Sequence, residues 1–554
     1  MKIIKNTLFI TAAAAILAGC GSTSIPALSI PMENSDIVPL KVASLTDVEL
    51  KSWSSKDLQN DTIPGMAVDR TYQEIIQNSV GTTVIVAVID SGIDIEHEDL
   101  KNVIWTNPKE IAGNNIDDDK NGYIDDVHGW NFLGDIVKEN MEYVRIIRKL
   151  KPKYDGKTER AINATDLEEF ALYQKANEEY TKEIEQTTAN VTRYSDMLSQ
   201  LIPAHTAISK KLGKEEYSKE DLAGITDAID EEKKQIGMLT QMLNYDDNIP
   251  SFITQIEGGV AYFQGRLDSH FDTKTDFRGI VGDDPDDNSN PYYGNNDVDG
   301  PDPEKKDAKH GTHVAGIIAA QRNNNIGMNG IAQNVKIMVV RAVPDGDEYD
   351  KDIANAIRYA VDNGAKVINT SFGKYYSTHP EWVWDALAYA GKKDVLIVNA
   401  AGNEGTDLDG IQVYPNDQLG VGAEITDTFL TVGALNYKYG SEVLATFSNY
   451  GKVNVDVFGP GVKIWATTPL NTYEYLQGTS MASPNVAGVA AMIRSYYPKL
   501  SAKQVKQVLM DSGLSVKTAV ILGGEPSKKD TFENISTSGK MVNMYNAFIM
   551  ASKM

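Results

Sequence analysis

A single cysteine, Cys20, stands in a chain of 554 residues, so no intramolecular disulfide can form whatever the compartment. Basic residues are in deficit too: 53 Lys and Arg face 77 Asp and Glu, a formal charge of −24. That balance excludes nucleic acid as a partner and opposes electrostatic adhesion to anionic lipid. Beyond the N-terminus no apolar run reaches about 18 residues, so nothing later in the chain is expected to span a bilayer. The remaining composition, 42% hydrophobic and 23% charged, is that of a globular protein and not of a disordered or collagenous one. The length exceeds one ordinary domain and suits one large domain carrying an insertion.

The N-terminus accounts for the lone cysteine. Lys2 and Lys5 precede the apolar run "TLFITAAAAILAG", of signal-peptide length and short for a span. It ends in Leu17-Ala18-Gly19-Cys20, which resembles the lipobox of bacterial lipoproteins. That resemblance implies removal of residues 1–19, lipidation of Cys20, and an exported protein anchored in the bacterial envelope, at the outer membrane or cell surface. Residues 20–52, with Pro26, Pro31 and Pro39 among small polar residues, read as a tether. From Trp53 to about Val80 the chain is amphipathic, too short for a separate folding-chaperone domain. Either the protein folds without one, or this segment packs as part of the body.

Residues 82–90, "TTVIVAVID", form a continuous β-branched run ending on Asp90, the mark of a buried parallel strand. Runs of the same character occupy 335–343, 365–373 and 394–403, with helical patterns such as "HVAGIIAAQ" and "YDKDIANAIRYAVDNG" between them. Strands alternating with helices imply an α/β fold, a doubly wound parallel sheet flanked by helices. Ligands in such sheets bind at the carboxyl ends of the strands, where Asp90, Ser371 and Asn403 stand. The pattern assigns 53–134 and 272–554 to this body. Between them, 135–271 reads as a helical insertion with three patterns: Phe170 to Leu201, Leu222 to Leu243, and Phe252 to Leu267, at spacings of three and four. The insertion is either a self-packed elaboration or a docking surface for substrate or partner. An acid-rich stretch, 282–310, holds enough Pro, Gly and Asn to be irregular loop.

The chemistry gathers at three short stretches. Ser480, in Gly-Thr-Ser-Met-Ala-Ser-Pro (478–484), opens a small-residue helix whose N-terminus favours developing negative charge. A serine hydroxyl is inert unaided; it requires an imidazole as base and a carboxylate to orient that imidazole. His310 opens "HGTHVAGIIAA", and Asp90 ends the first strand. His313, a turn into its helix, reads as a packed structural residue, and Ser483 as a helix residue. Asp94 and Asp99 read as solvated loop carboxylates.

The segments "VIVAVIDSGIDIEHEDL", "HGTHVAGIIAA" and "GTSMASPNVAGVAA" resemble, in order and in neighbours, the three signature blocks of subtilisin-like serine proteases, the subtilases. The resemblance covers about residues 82–134 and 275–550. It implies a subtilisin-like serine endopeptidase acting on proteins or peptides through an acyl-enzyme, with no cofactor for the chemistry. Asp90 would be the orienting carboxylate, His310 the general base and acid, and Ser480 the nucleophile. "VNAAGNEG" matches the block whose Asn supplies an oxyanion donor, hence Asn403. Ser371-Phe372-Gly373 and Ala400-Ala401-Gly402 resemble the segments flanking the primary specificity pocket. The competing class is a non-catalytic binding protein acting through the insertion, with the protease body as scaffold; the intact set of catalytic residues stands against it.

A structural calcium site is the remaining expectation. "NNIDDDKNGYIDDVHGW" puts Asp117, Asp119, Asn121 and Asp125 at alternate positions around Gly122, like the first part of an EF-hand loop, although His128 stands where the bidentate Glu belongs. The bland alternative is a solvated acidic loop. Residues 283–302 are a weaker candidate of the same type.

Overall fold

The computed structural model describes residues 39, 41, 43–418 and 423–554. Cys20, the segment 1–19 and most of 20–52 lie outside the described residues. A nine-stranded sheet runs, in spatial order, Leu514–Ser515, Lys540–Met541, Val457–Pro460, Phe429–Leu435, Leu396–Ala400, Val367–Thr370, Val84–Asp90, Val335–Arg341 and Gly129–Asn131. All neighbours pair parallel except the first two. Side chains alternate across it. Val84, Val86 and Val88 join a core with the helices Lys309–Ala319 and Thr479–Tyr496, while Ala87 and Ile89 join a second core with Asp350–Asp362 and Pro380–Lys392. Burial on both faces explains the unbroken apolar runs, because neither face needs polar residues. The expected α/β architecture is therefore present.

The segment after Leu45 packs onto the body. Thr46 and Glu49 form a capping box that starts the helix Asp47–Ser52, so the last residues of the expected tether are helical. Trp53, Leu58, Ile63, Met66, Val68 and Ile76 enter the core on the Ser480 side of the sheet. The Trp53 indole N–H donates to the Val462 carbonyl at 3.0 Å.

Between the strand Gly129–Asn131 and the His310 helix, the chain forms the helices Glu142–Tyr154, Leu167–Leu212, Lys219–Ala223, Asp230–Met242 and Ile249–Gly265. The expected helix over Leu222–Leu243 is broken at 224–229: Gly224 closes the first turn, and Ile229 precedes a new helix start. Two apolar clusters hold these helices. One, at the tip, includes Leu201, Ile208, Leu222, Leu239 and Phe252. The other, at the base, joins Tyr143, Ile147, Phe170 and Tyr173 to Tyr376 of the body. Among the described residues no helix is long and apolar enough to cross a membrane.

Candidate active site

Asp90 is the last residue of its strand, and its carboxylate is 2% exposed. His310 occupies the first turn of Lys309–Ala319, and its Nδ1–H donates to Asp90 Oδ1 at 2.7 Å. The approach depends on Gly311, where a Cβ would lie 2.2 Å from the Gly92 carbonyl oxygen. The same Asp90 oxygen accepts the Ser91 N–H at 2.8 Å, while Oδ2 is buried without a partner among the described residues. Burial of the His310 ring pulls its pKa down, but the charge and hydrogen bond of Asp90 outweigh it and hold the pKa above the ordinary histidine value. Donation from Nδ1 leaves Nε2 as the basic nitrogen of the neutral ring.

The half-buried Ser480 is the second residue of Thr479–Tyr496, a helix packed against the His310 helix. Its hydroxyl donates to the Ser371 carbonyl at 3.0 Å, and the Ser371 hydroxyl donates back to the Ser480 carbonyl at 3.0 Å. Among the described residues the Ser480 hydroxyl has Ser371, and not His310, as its hydrogen-bond acceptor. Asn403 is exposed, and its side-chain oxygen accepts the Thr479 N–H at 2.8 Å and the Thr479 hydroxyl at 3.1 Å. The Gly402 N–H in turn donates to the Thr479 hydroxyl at 2.9 Å. Because the oxygen end of Asn403 is engaged, its amide N–H groups remain for a ligand beside the helix N-terminus.

Ser371 directly follows the strand Val367–Thr370, Ala400 ends the next, and Ala401 and Gly402 follow it. Gly373 is exposed, Phe372 half-buried, and Ala400 and Ala401 are buried. Ala400 and Ala401 also line a cavity of about 290 Å³ with Val413 and Pro415. Asp90, Ser371 and Ala400–Gly402 thus lie at the carboxyl ends of three central, adjacent strands, where the carboxyl-end rule places a ligand site. Thr479, which locks the Gly402–Asn403 turn to the serine helix, was not anticipated; its position between Gly478 and Ser480 was the available signal.

The neighbouring polar residues divide clearly. His313 is fully buried, shares its Nε2 between the Ile464 and Glu474 carbonyls at 3.1 and 3.2 Å, and has its pKa pushed down to about 3 by burial. Ser483 is buried and donates to Asn369 Oδ1 at 2.9 Å and the Val398 carbonyl at 3.0 Å. Both therefore have structural partners. Asp94 and Asp99, expected to be solvated, are 3% and 1% exposed. Asp94 pairs with Lys305 at 2.6 Å and accepts the Leu470 N–H, while Asp99 accepts from the Asn324 amide at 2.6 Å. Tertiary partners, which local polarity does not reveal, bury both.

The acidic loop folds differently from an EF-hand. Asp117 accepts the backbone N–H groups of Asn121 and Gly122. Asp125, at φ 54°, turns its carboxylate to the N–H groups of Gly113, Asn114 and Asn115. The Asn121 amide donates to Asp126 at 3.0 Å. Of the four expected ligands only Asp119 joins a carboxylate cluster, and its companions are Glu110 and Asp126, with oxygens all within 4.8 Å. Glu110 Oε2 is buried without a partner among the described residues, and burial raises the Asp126 pKa to about 6 despite hydrogen bonds from Tyr359, Asn121 and Asn107. Three crowded carboxylates with an orphaned oxygen are a donor set that fits a hard cation.

Comparison with known proteins bears on this geometry. A model described as the subtilase family matches residues 81–536. A thermophilic serine proteinase from Bacillus sp. (strain AK1) is 44% identical over 187 residues, 34% of this chain and 42% of that protein. Subtilisin DY from Bacillus licheniformis is 37% identical over 215 residues, 39% of this chain and 73% of that protein. Thermitase from Thermoactinomyces vulgaris is 39% identical over 187 residues, 34% of this chain and 61% of that protein. The chain thus spans less than half the length of the first of these relatives. A solved protease from Pseudoalteromonas arctica shares 28% identity, with a TM-score of 0.36, over 44% of this chain and 70% of its own. The family match begins at the Asp90 strand, runs through the insertion and past the Ser480 helix, and covers most of the chain, which belongs to the subtilase family.

Proposed function

We propose that this subtilase is a serine endopeptidase that hydrolyses peptide bonds through an acyl-enzyme. The observation that carries the proposal is the 2.7 Å hydrogen bond from His310 Nδ1 to buried Asp90, beside a serine at a helix N-terminus. In this reading Ser480 swings from the Ser371 carbonyl to His310, whose Nε2 takes its proton as Oγ attacks the substrate carbonyl. The carbonyl π electrons move onto oxygen. The resulting oxyanion is met by the Asn403 amide N–H and the Ser480 backbone N–H, which has no hydrogen-bond partner among the described residues. Asp90 stabilises the imidazolium, which protonates the leaving amine. Water, with His310 again as base, then releases the acid and restores Ser480. Ser371–Gly373 and Ala400–Gly402 receive the substrate chain on either side.

Two further parts of the proposal concern setting. The lipobox-like Leu17–Cys20 supports export and anchoring through a lipidated Cys20. Glu110, Asp119 and Asp126 would hold a structural calcium ion, neutralising Asp126, whose charged form burial disfavours. It takes no part in the chemistry.

Labelling with a fluorophosphonate tests the enzymatic reading. The wild type should be modified and Ser480→Ala should not; a folded wild type that resists labelling, or a mutant that labels, overturns it.

A further inference from the structure

The insertion and the substrate segments meet at one buried ammonium. Lys374 directly follows Gly373, and its side chain is 1% exposed. Its backbone N–H and carbonyl pair with the carbonyl and N–H of Tyr414, both at 2.9 Å. Tyr414 lies between Val413 and Pro415 of the Ala400–Ala401 cavity. Lys374 thus stitches together two segments that border the substrate site. Its ammonium meets Glu142 Oε2 at 3.2 Å, Asp350 Oδ1 at 3.0 Å and the Glu348 carbonyl at 2.8 Å. Glu142 is the first residue of the insertion's first helix, whereas Asp350 begins a helix of the body.

A second contact lies just beyond. Tyr376, buried in the cluster at the insertion's base, meets the edge of Tyr143 at a centroid distance of 5.7 Å. Its hydroxyl donates to the Lys175 carbonyl at 3.4 Å, and the Lys175 ammonium lies 4.7 Å from its ring centroid. Thr378 donates to Glu142 Oε1 at 3.1 Å. The chain from 374 to 378 is therefore held by two insertion helices immediately after it leaves the substrate segment.

Desolvation makes a buried ion cluster a poor source of stability compared with apolar packing of the same volume. What three ligands around one ammonium do supply is a fixed position. We propose that the helical insertion is a positioning element for catalysis: Glu142 and Asp350 clamp Lys374 and through it hold Ser371–Gly373 in the geometry that receives an extended peptide. This role rests on the serine-endopeptidase reading above. It makes Glu142, Asp350 and Lys374 positioning residues that touch no reacting atom. The segment matters for substrates long enough to lie along it, and hardly at all for a reagent that needs only the nucleophile and its base.

The experiment compares the full chain with Glu142→Gln, Asp350→Asn and the double variant. Three readouts are taken: the rate of Ser480 modification by a small alkyl fluorophosphonate, and kcat and KM for a tetrapeptide anilide and for a single-residue ester. Each single variant should raise the tetrapeptide KM about tenfold, with kcat and the ester changing about twofold or less. Fluorophosphonate rates should stay within about twofold, because Ser480 and His310 are untouched. Both carboxylates share the Lys374 ammonium, although Glu142 also pairs with Arg145, so the double variant should fall short of the product of the singles. If Glu142→Gln does not fold, Asp350→Asn carries the test alone, since its side-chain oxygen can still accept the Thr378 and His379 N–H groups. Unchanged tetrapeptide KM in folded variants, or loss of fluorophosphonate reactivity in step with peptide turnover, overturns the proposal. A wild type inert to fluorophosphonate overturns the endopeptidase reading and the clamp with it. A reactive wild type with an indifferent clamp overturns the clamp alone.

Discussion

Asn403 offers the sharpest test of the active-site geometry, because its two ends do different jobs. Its oxygen is engaged by Thr479, through the N–H at 2.8 Å and the hydroxyl at 3.1 Å, while its amide N–H groups donate to no described residue. Asn403→Ala removes both functions. Loss of one donor to an oxyanion costs about 100- to 1,000-fold in kcat, or roughly 2.7–4 kcal/mol of transition-state stabilisation. The cost to folding should stay below about 1 kcal/mol, because Asn403 is exposed and water can replace it at the Thr479 N–H. Asn403→Asp separates the functions: the acceptor for Thr479 survives, but the donor becomes a negative charge facing the developing oxyanion. Asp should therefore be at least as damaging as Ala. The assay is kcat and KM on a chromogenic peptide, with thermal melting as the check on folding. If the Asp variant keeps near-wild-type kcat, Asn403 serves only to lock Thr479, and the oxyanion role is refuted. A loss confined to KM refutes it equally, since removing a donor used only in the transition state lowers kcat.

His310 must be neutral to act as base, so activity should fall as pH drops through its pKa, with the acid limb above the ordinary histidine value of about 6.5. The Asp90–His310 pairing stabilises the fold most in acid, and that contribution is lost as pH rises through the raised pKa. In Asp90→Asn, burial alone acts on the ring, so the limb should move down while kcat falls about 10⁴-fold; a limb that stays in place contradicts this assignment. Trp53→Ala should cost about 3–5 kcal/mol in urea denaturation, since the side chain is 1% exposed and its N–H is bonded to Val462. A loss below about 1 kcal/mol would place the 53–80 segment outside the cooperative core. Chelation should lower the melting temperature and added calcium restore it; at 100 times the dissociation constant the ion contributes about 2.7 kcal/mol. Glu110→Gln/Asp126→Asn should abolish the response, and a wild type indifferent to chelator and calcium removes the metal proposal.

Legibility in the sequence followed physical distance. The strand Val84–Asp90 was readable because burial on both faces forces an unbroken apolar run, whereas Gly129–Asn131 and Val457–Pro460 are too short to carry a period. The break inside Leu222–Leu243 went unread for another reason. Periodicity reports which side chains face a core, and Leu222, Ile225, Ile236, Leu239 and Leu243 all do so although the backbone leaves the helix between them. The alternating carboxylates of 117–125 would converge only along an EF-hand path. The left-handed backbone at Asp125 departs from it, and Glu110, from outside the motif, takes a place in the cluster instead.

Asp90 and His310 were readable as types, but what joins them across 220 residues was not. With no disulfide available, buried polar side chains perform that task. Arg341, 1% exposed at the end of its strand, donates to the Ser91 carbonyl at 3.0 Å and to Asp307 at 3.0 Å, tying the Asp90 loop to the lead-in of the His310 helix. The Thr312 hydroxyl accepts the Asp94 N–H at 2.9 Å, and the Thr312 carbonyl accepts from Thr467 at 2.7 Å. His313, one position on, is bonded to both strands of the hairpin Ile464–Thr468 and Thr472–Leu476, which leads into the Ser480 helix. Each of these residues is polar, and nothing in its local sequence marks it as buried. They are buried because each satisfies groups from two segments of the candidate site at once, and an unsatisfied buried polar group costs about 1–3 kcal/mol. Misplacing one segment therefore leaves several such groups unpaired, which fixes the segments of the candidate site relative to one another without any covalent cross-link.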